Sequence, residues 1–346
     1  MRPTLVTGGC GFVGRHMVLR LLEEGRTVWV VDDLSAGKHP SSWLPEDCDP
    51  TTGQMTFIQA DVRDFFRDYF LRPSSRLPQL QPGSSAFGDV FHFAAVVGGR
   101  AKIEGDPMAV AQDLSIDADF FAWAAKARPA RILFASSSAA YPVDLQAEGK
   151  AVPLREEFIR LDGQIGRPDM TYGWAKLTGE YLATIAVQSY GLSVACVRPF
   201  SGYGGDQDDT YPVPAIARRA AGREDPLQVW GSGEQGRDFV YIDDCVDAML
   251  AAVERISDAS AVNIGSGKLT TFAEVAQILA NLAGYEPRIE PLHDKPTGVH
   301  ARHADITKAR SLLGWQPKVS LREGLGRVLE QVKSNAVKVG RSEGEG

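Results

Sequence analysis

Apolar and polar positions along the chain alternate between strand and helix spacing. Thr4-Leu5-Val6 is a short apolar run, interrupted by Thr7-Gly8-Gly9-Cys10-Gly11-Phe12-Val13-Gly14. After that turn, Val18, Leu19, Leu21 and Leu22 face inward on a helix, and Glu23 and Glu24 face out. Val28-Trp29-Val30-Val31 is apolar on both faces, as a strand covered on both sides of a parallel sheet must be, and it ends at Asp32 and Asp33. The same spacing predicts strands over 55–60, 89–95, 131–135 and 193–198, with helices over 107–127 and 172–189. In the first helix Val110, Leu114, Ile116, Phe120, Phe121 and Trp123 cover more than one face, which predicts burial against the sheet and against a partner subunit. In the second, Leu177, Tyr181, Leu182, Ile185 and Ala186 are predicted to point inward.

Beyond residue 200 the alternation changes character. Residues 211–233 read as Tyr-Pro-Val-Pro, a short basic helix with Arg218 and Arg219, and a strand closed by Gly231-Ser232-Gly233. An apolar helix to about residue 253, a strand over 262–265, a helix over 272–283 and a final helical region over 306–332 follow. Stretches 35–53 and 72–87 are polar and aperiodic and read as surface loops. The pattern predicts an α/β fold, a doubly wound parallel sheet with a smaller mixed α/β unit. Residues 1–200 form the sheet domain, which also receives a returning segment near 236–265; residues 201–332 form the smaller unit, and the polar 333–346 tail is expected to be disordered.

The first turn carries chemistry. Gly8 allows the tight turn, Gly11 lets backbone N–H groups approach a pyrophosphate, and Gly14 lets the helix pack on the strand. Phosphate would sit at the helix N-terminus beside Phe12 and Val13. Asp32 can accept both ribose hydroxyls of an adenosine and would repel a 2′-phosphate, favouring NAD over NADP. Asp61, at the end of the third strand before Val62, is a candidate for the adenine amine and equally for an N-cap. Small Ala94 and Ala95 would let the dinucleotide pass close over the fourth strand, while His92, between aromatic residues, reads as core. Gly98, Arg100 and Lys102 follow at the carboxyl edge of the sheet, where Arg100 and Lys102 face either a substrate anion or solvent.

Composition narrows the field. Among 346 residues, 44% are hydrophobic and the net charge is −7, which argues against a general nucleic-acid or membrane-surface binder, since either needs a basic field. No run is long enough to span a membrane, and the N-terminus enters a strand without a leader, so a cytoplasmic protein is expected. Cysteines 10, 48, 196 and 245 lack metal-ligand spacing, and no metal site is expected.

Tyr172 and Lys176 lie four apart at a helix start and so share a face. A neighbouring ammonium favours the phenolate, which would make Tyr172 a usable proton acceptor, and Lys176 could also hold the nicotinamide ribose. A hydroxyl from the Ser136–Ser138 run would sit across the cleft and bond the substrate oxygen.

These residues together resemble the extended short-chain dehydrogenase/reductases, and among them the NAD-dependent sugar-nucleotide epimerases and dehydratases. TGGCGFVG, the Asp32 strand end, Asp61-Val62, His92-Phe93-Ala94-Ala95, SSSAAY, YGWAK, RPFSGYG, RDFVYIDD and LLGWQP carry the resemblance over about residues 3 to 330. It implies that Tyr172 takes a proton from a sugar hydroxyl while NAD takes the hydride from the same carbon, with Ser137 as the catalytic hydroxyl. Dehydratases and decarboxylases of the family place carboxylates where this chain has Ser138 and Ala139. Epimerisation, most often at C4, is therefore the implied outcome. Dehydration, decarboxylation or net keto-sugar oxidoreduction are the alternatives, and a non-catalytic nucleotide-binding regulator is a remote one. A 3,5-epimerase is disfavoured because the serine-rich segment has no Cys. The resemblance further implies that Arg237 and Arg302 bind the substrate diphosphate, ion pairs to Asp238 or Asp305 being the alternative, and that the chain forms a homodimer through the helices around 107–127 and 172–189. Ser201 replaces the family's Asn at a usual substrate contact.

Overall fold

The computed structural model describes residues 2–45, 53–71 and 87–342, so Cys48 and almost all of the predicted 72–87 loop lie outside the described residues. In chain order the elements are β1 (Thr4–Thr7), α1 (Phe12–Glu23), β2 (Val28–Asp32), β3 (Met55–Gln59), α2 (Val62–Leu71), β4 (Asp89–His92), α3 (Arg100–Gly105), α4 (Pro107–Val110), α5 (Asp113–Ala127), β5 (Arg131–Ala135), α6 (Met170–Tyr190) and β6 (Val194–Pro199). The second half adds β7 (Ser201–Tyr203), α7 (Pro212–Ala221), β8 (Leu227–Trp230), β9 (Gly236–Arg237), β10 (Phe239–Tyr241), α8 (Ile242–Arg255) and β11 (Asp258–Ile264). It closes with β12 (Thr270–Thr271), α9 (Phe272–Leu282), β13 (Ile289–Leu292), β14 (Ala301–Arg302) and α10 (Leu321–Ser342).

Seven parallel strands form the central sheet in the order β11-β6-β5-β4-β1-β2-β3. The order reverses between β1 and β4, the switch point at which doubly wound sheets bind ligands beyond the carboxyl ends of their strands. The inner strands are apolar on both faces because each face is covered: α2, α5 and α6 pack on one side, α1 and α8 on the other. A separate core joins α7, α9 and α10 around Val213, Leu227, Val275, Leu279 and Leu325.

Four expectations are corrected. The helix predicted over 107–127 is two, because i→i+3 bonds at Ala111 and Gln112 tighten the chain between α4 and α5. The edge segment carrying Gly98, Arg100 and Lys102, to which the sequence pattern assigns no helix, turns into α3 at Arg100. Tyr181 points out, 51% exposed, because the charged Lys176 and Glu180 take the inner face of α6. Finally, α10 runs on through the polar tail to Ser342, with 343–346 outside the described residues.

Candidate active site

The glycine turn follows β1 at the switch point. Gly8 sits at φ 66°, and a Cβ there would lie 2.6 Å from the Ala94 amide nitrogen, so the turn is pressed against the end of β4. A Cβ on Gly14 would lie 2.1 Å from the Gly8 carbonyl oxygen, which is how closely α1 packs on the turn. Gly11, the N-cap of α1, contributes no side chain, so the first turn of that helix is open to an anion. Asp32 is buried at the end of β2, where Oδ2 accepts from the Cys10 amide (2.9 Å) and Oδ1 from the Leu34 amide (2.8 Å). A closely packed glycine cradle, an uncapped helix and a carboxylate fixed at the next strand end fit a dinucleotide. Asp61 takes the Arg63 amide at 2.8 Å and its guanidinium at 2.5 Å, so its capping role is realised. His92 is buried, bonded to Thr7 Oγ1 at 2.7 Å and stacked on Phe120, in keeping with a core role.

β5 and α6 bring the catalytic candidates together. Ser137 follows β5 and accepts from the Ala139 amide at 3.1 Å, which fixes the serine turn, and Ser137 and Tyr172 line the same cavity. Lys176 lies one turn along α6, buried, with Nζ 5.8 Å from the centre of the Tyr172 ring. Next to Ser137, Ser136 donates to Glu180 at 2.5 Å, and Glu180 in turn holds Arg198 at 2.6 and 2.8 Å. The expected lowering of the phenol is opposed. Burial pushes the Tyr172 phenol up, Lys176 and the Ser137 hydroxyl pull it down, and Asp113 and Asp117 push it up again, so the net direction is upward. Burial alone would pull the Lys176 ammonium down, but Asp117, Tyr172 and Asp113 outweigh it and hold it above its ordinary value.

In front of this group opens a cavity of about 680 Å³ lined by Gly98, Arg100, Ser137, Ser138, Tyr172, Ser201, Arg237 and Arg302. The structure thus unites nearly all the predicted substrate residues; the Lys102 side chain lies outside what is described. The alternative ion pairs, to Asp238 or Asp305, are not the ones formed by Arg237 and Arg302. Arg237 donates to the carbonyls of Gly236, Thr297 and Val299. Arg302 donates to Gln146 at 2.5 Å and to Asp169 at 2.7 Å, and Arg100 meets the same Asp169 at 3.1 Å. Asp238 is instead buried under the amides of Ser266, Gly267 and Ala304. Three guanidiniums face two carboxylates: Arg100 and Arg302 share Asp169, Arg100 also bonds Glu104, and burial, reinforced by Arg302, pulls Arg237 down to about 9. Such a cluster is short of negative charge and suited to a diphosphate.

Sequence reasoning missed Asp169 and the buried pair Asp113 and Asp117. Asp169 directly precedes α6, whose first residue, Met170, has the strained φ of 59°. The α5 pair had a visible signal, two acidic residues four apart on the helix that also carries Ile116, Phe120, Phe121 and Trp123.

The sequence pattern of the NAD dependent epimerase/dehydratase family matches residues 4–265. A UDP-glucose 4-epimerase of Mycolicibacterium smegmatis is 28% identical over 94% of this chain and 97% of its own. A UDP-N-acetyl-alpha-D-glucosaminuronate decarboxylase of Bacillus cytotoxicus is likewise 28% identical, over 94% and 96%. Among solved structures, a UDP-glucose 4-epimerase of Thermotoga maritima with UDP-glucose is 30% identical and has a TM-score of 0.79, covering 96% of this chain and 99% of that one.

Proposed function

The chain belongs to the NAD-dependent epimerase/dehydratase family, and from that premise we propose that it inverts C4 of a nucleotide-diphosphate sugar. The observation that carries this reading is the Ser137–Tyr172–Lys176 group facing a cavity in which Ser138 and Ala139 stand where an eliminating enzyme needs carboxylates. NAD bound at Gly8, Gly11, Phe12, Val13, Gly14, Asp32, Asp61, Val62, Ala94 and Ala95 supplies a hydride acceptor for the sugar carbon. Tyr172 takes the proton of the reacting hydroxyl and returns it once the sugar presents its other face. Ser137, lining the same cavity as Tyr172, holds the same oxygen, and Lys176 keeps its charge beside the phenol as the proton leaves. Arg237 and Arg302 grip the diphosphate, while Gly98, Arg100, Lys102, Ser138 and Ser201 border the sugar.

Residues 1–200, completed by α8 and β11, act as the cofactor-binding unit, and 201–332 mainly as the sugar-binding unit. The protein works in the cytoplasm as a homodimer. Leu114, Trp174 and Tyr181, 41%, 45% and 51% exposed, form an apolar surface on α5 and α6 suited to a second copy.

The test is incubation with UDP-, GDP- and dTDP-sugars without added cofactor, followed by mass spectrometry and NMR. A product of unchanged mass and inverted C4 is expected; loss of water or carbon dioxide would refute the epimerase reading. Tyr172→Phe should lower turnover by at least about 100-fold, and full activity in that variant would remove Tyr172 from the chemistry.

A further inference from the structure

The arginines that line the cavity come from distant parts of the chain: Arg100 opens α3, Arg237 ends β9 and Arg302 ends β14. One carboxylate stands between two of them. Asp169 Oδ2 accepts from Arg302 Nη2 at 2.7 Å, and both Asp169 oxygens lie 3.1 Å from Arg100 Nη1. The third guanidinium is close by, since a Cβ on Gly298 would meet Arg100 Nη1 at 3.0 Å and Arg237 Nη2 at 3.4 Å. Each of the first two also has a second anchor: Arg302 Nε donates to Gln146 and Arg100 Nε to Glu104, both at 2.5 Å. The remaining terminal nitrogens, Arg302 Nη1 and Arg100 Nη2, hold no hydrogen bond among the described residues.

Backbone bonds set the place of the carboxylate. The Asp169 N–H donates to the Ala139 carbonyl at 2.9 Å, the Asp169 carbonyl accepts from the Gly173 N–H at 2.9 Å, and Met170 follows at φ 59°. Ala139 belongs to the serine turn, and a Cβ on Gly173 would lie 2.3 Å from its oxygen, so the start of α6 is pressed on that turn. Asp169 is therefore fixed to the wall that carries Ser137 and Tyr172, it is buried, and its side chain reaches the arginines from there.

We propose that Asp169 is a positioning residue: it holds the guanidiniums of Arg302 and Arg100 in one orientation relative to the serine turn and so preforms the donor array that a nucleoside diphosphate enters. The proposal rests on Arg302 gripping the diphosphate. Charge and orientation make opposite predictions here. A carboxylate beside an anion site repels the anion, so by charge alone its removal tightens binding. A guanidinium held at one nitrogen instead of two can pivot, and it must be immobilised again when the ligand arrives. For two rotamer-rich side chains that cost weakens binding about 5–100-fold. Without Asp169 the three guanidiniums also face only Glu104 and repel one another out of register.

The experiment is a calorimetric titration of the protein, isolated with its cofactor, with UDP, GDP and dTDP. The nucleotide that the wild type binds most tightly is then titrated into Asp169→Asn, which keeps the shape and removes the charge, and into Asp169→Glu, which keeps the charge and displaces it. Both variants should bind about 5-fold more weakly or worse, and in steady-state kinetics KM should rise by a larger factor than kcat falls. Equal or tighter binding by Asp169→Asn means that charge alone governs the site and overturns the proposal. So does a loss of kcat and of thermal midpoint with an unmoved Kd, the mark of a merely structural residue. If Asp169→Asn does not fold, Asp169→Glu decides, and wild-type affinity in that variant overturns the proposal. A wild type that binds none of the three nucleotides defeats the diphosphate reading itself, whereas wild-type binding with unmoved variants defeats only the role of Asp169.

Discussion

Replacing Glu180 by Gln removes one charge from an enclosed ion pair directly behind the serine turn. Glu180 accepts from Arg198 Nη2 at 2.6 Å and Nε at 2.8 Å and from Ser136 Oγ at 2.5 Å, and the side chains of both charged partners are at most 6% exposed. Glutamine has the same shape but offers one acceptor where the guanidinium presents two donors, leaving Arg198 charged with an amide N–H aimed at it. Breaking a buried pair on one side costs about 3–5 kcal/mol. Unfolding entropy of about 2.1 cal/mol/K per residue amounts to about 0.7 kcal/mol/K for a chain of 346 residues. The midpoint should therefore fall by ~4–7 °C, measured by scanning calorimetry on the cofactor-loaded protein with urea unfolding as a check. Because Ser136 neighbours Ser137, turnover should fall too, while NAD retention at the distant glycine turn should not. A destabilisation below about 1 kcal/mol would show that the pair lies within reach of water and is worth no more than a surface bridge.

Gly14→Ala puts a methyl 2.1 Å from the Gly8 carbonyl oxygen and 2.7 Å from Gly9 Cα, backbone atoms that cannot swing away. We expect a loss of ~1–3 kcal/mol in stability and of at least about tenfold in NAD affinity by equilibrium dialysis; wild-type affinity would refute the cradle. Asp206 ties the second half of the chain to α1 through Arg15 at 2.6 Å and His16 at 2.9 Å. Burial would raise its carboxyl, but the bonds to His16 and Arg15 outweigh it and hold the group well below the usual range. A depressed carboxyl stabilises above the unfolded-state value and stops doing so as pH falls through the folded one. Asp206→Asn should thus cost ~1.5–3 kcal/mol at pH 7, with the gap closing below about pH 4 in urea titrations; a gap independent of pH would remove the charge from the explanation. Tyr181→Glu should convert the proposed dimer to monomer in sedimentation, and a wild-type monomer at micromolar concentration would dispose of the α5–α6 interface.

The site was legible where one residue type has one physical use. Gly8 and Gly14 are positions where a Cβ collides with backbone, and Tyr172 and Lys176 are read from helical spacing alone. What stayed hidden depends on contacts made across the chain. Asp169 is ordinary in sequence and matters because folding places Arg100 and Arg302 on either side of it. Tyr181 was misplaced because hydrophobicity assigns an apolar residue to the interior, whereas here Lys176 and Glu180 occupy that face of α6 with partners no local pattern discloses. The step between α4 and α5 has no proline or glycine at Ala111 or Gln112 to mark it, and the change to i→i+3 bonding is set by the surrounding packing.

The position of β11 governs how the chain can be cut or recombined. It lies at one edge of the central sheet beside β6, yet it is made only after β7, α7, β8, β9, β10 and α8. During synthesis the sheet stays unfinished until residue 264 has left the ribosome, and until then β6, buried along almost all its length in the finished fold, is an unpaired edge. A fragment ending near residue 200 keeps the glycine turn and Tyr172 but exposes that edge to other nascent chains. A chimera that exchanges sugar-binding halves between relatives must accordingly leave 242–264 with the N-terminal parent, splicing twice instead of once.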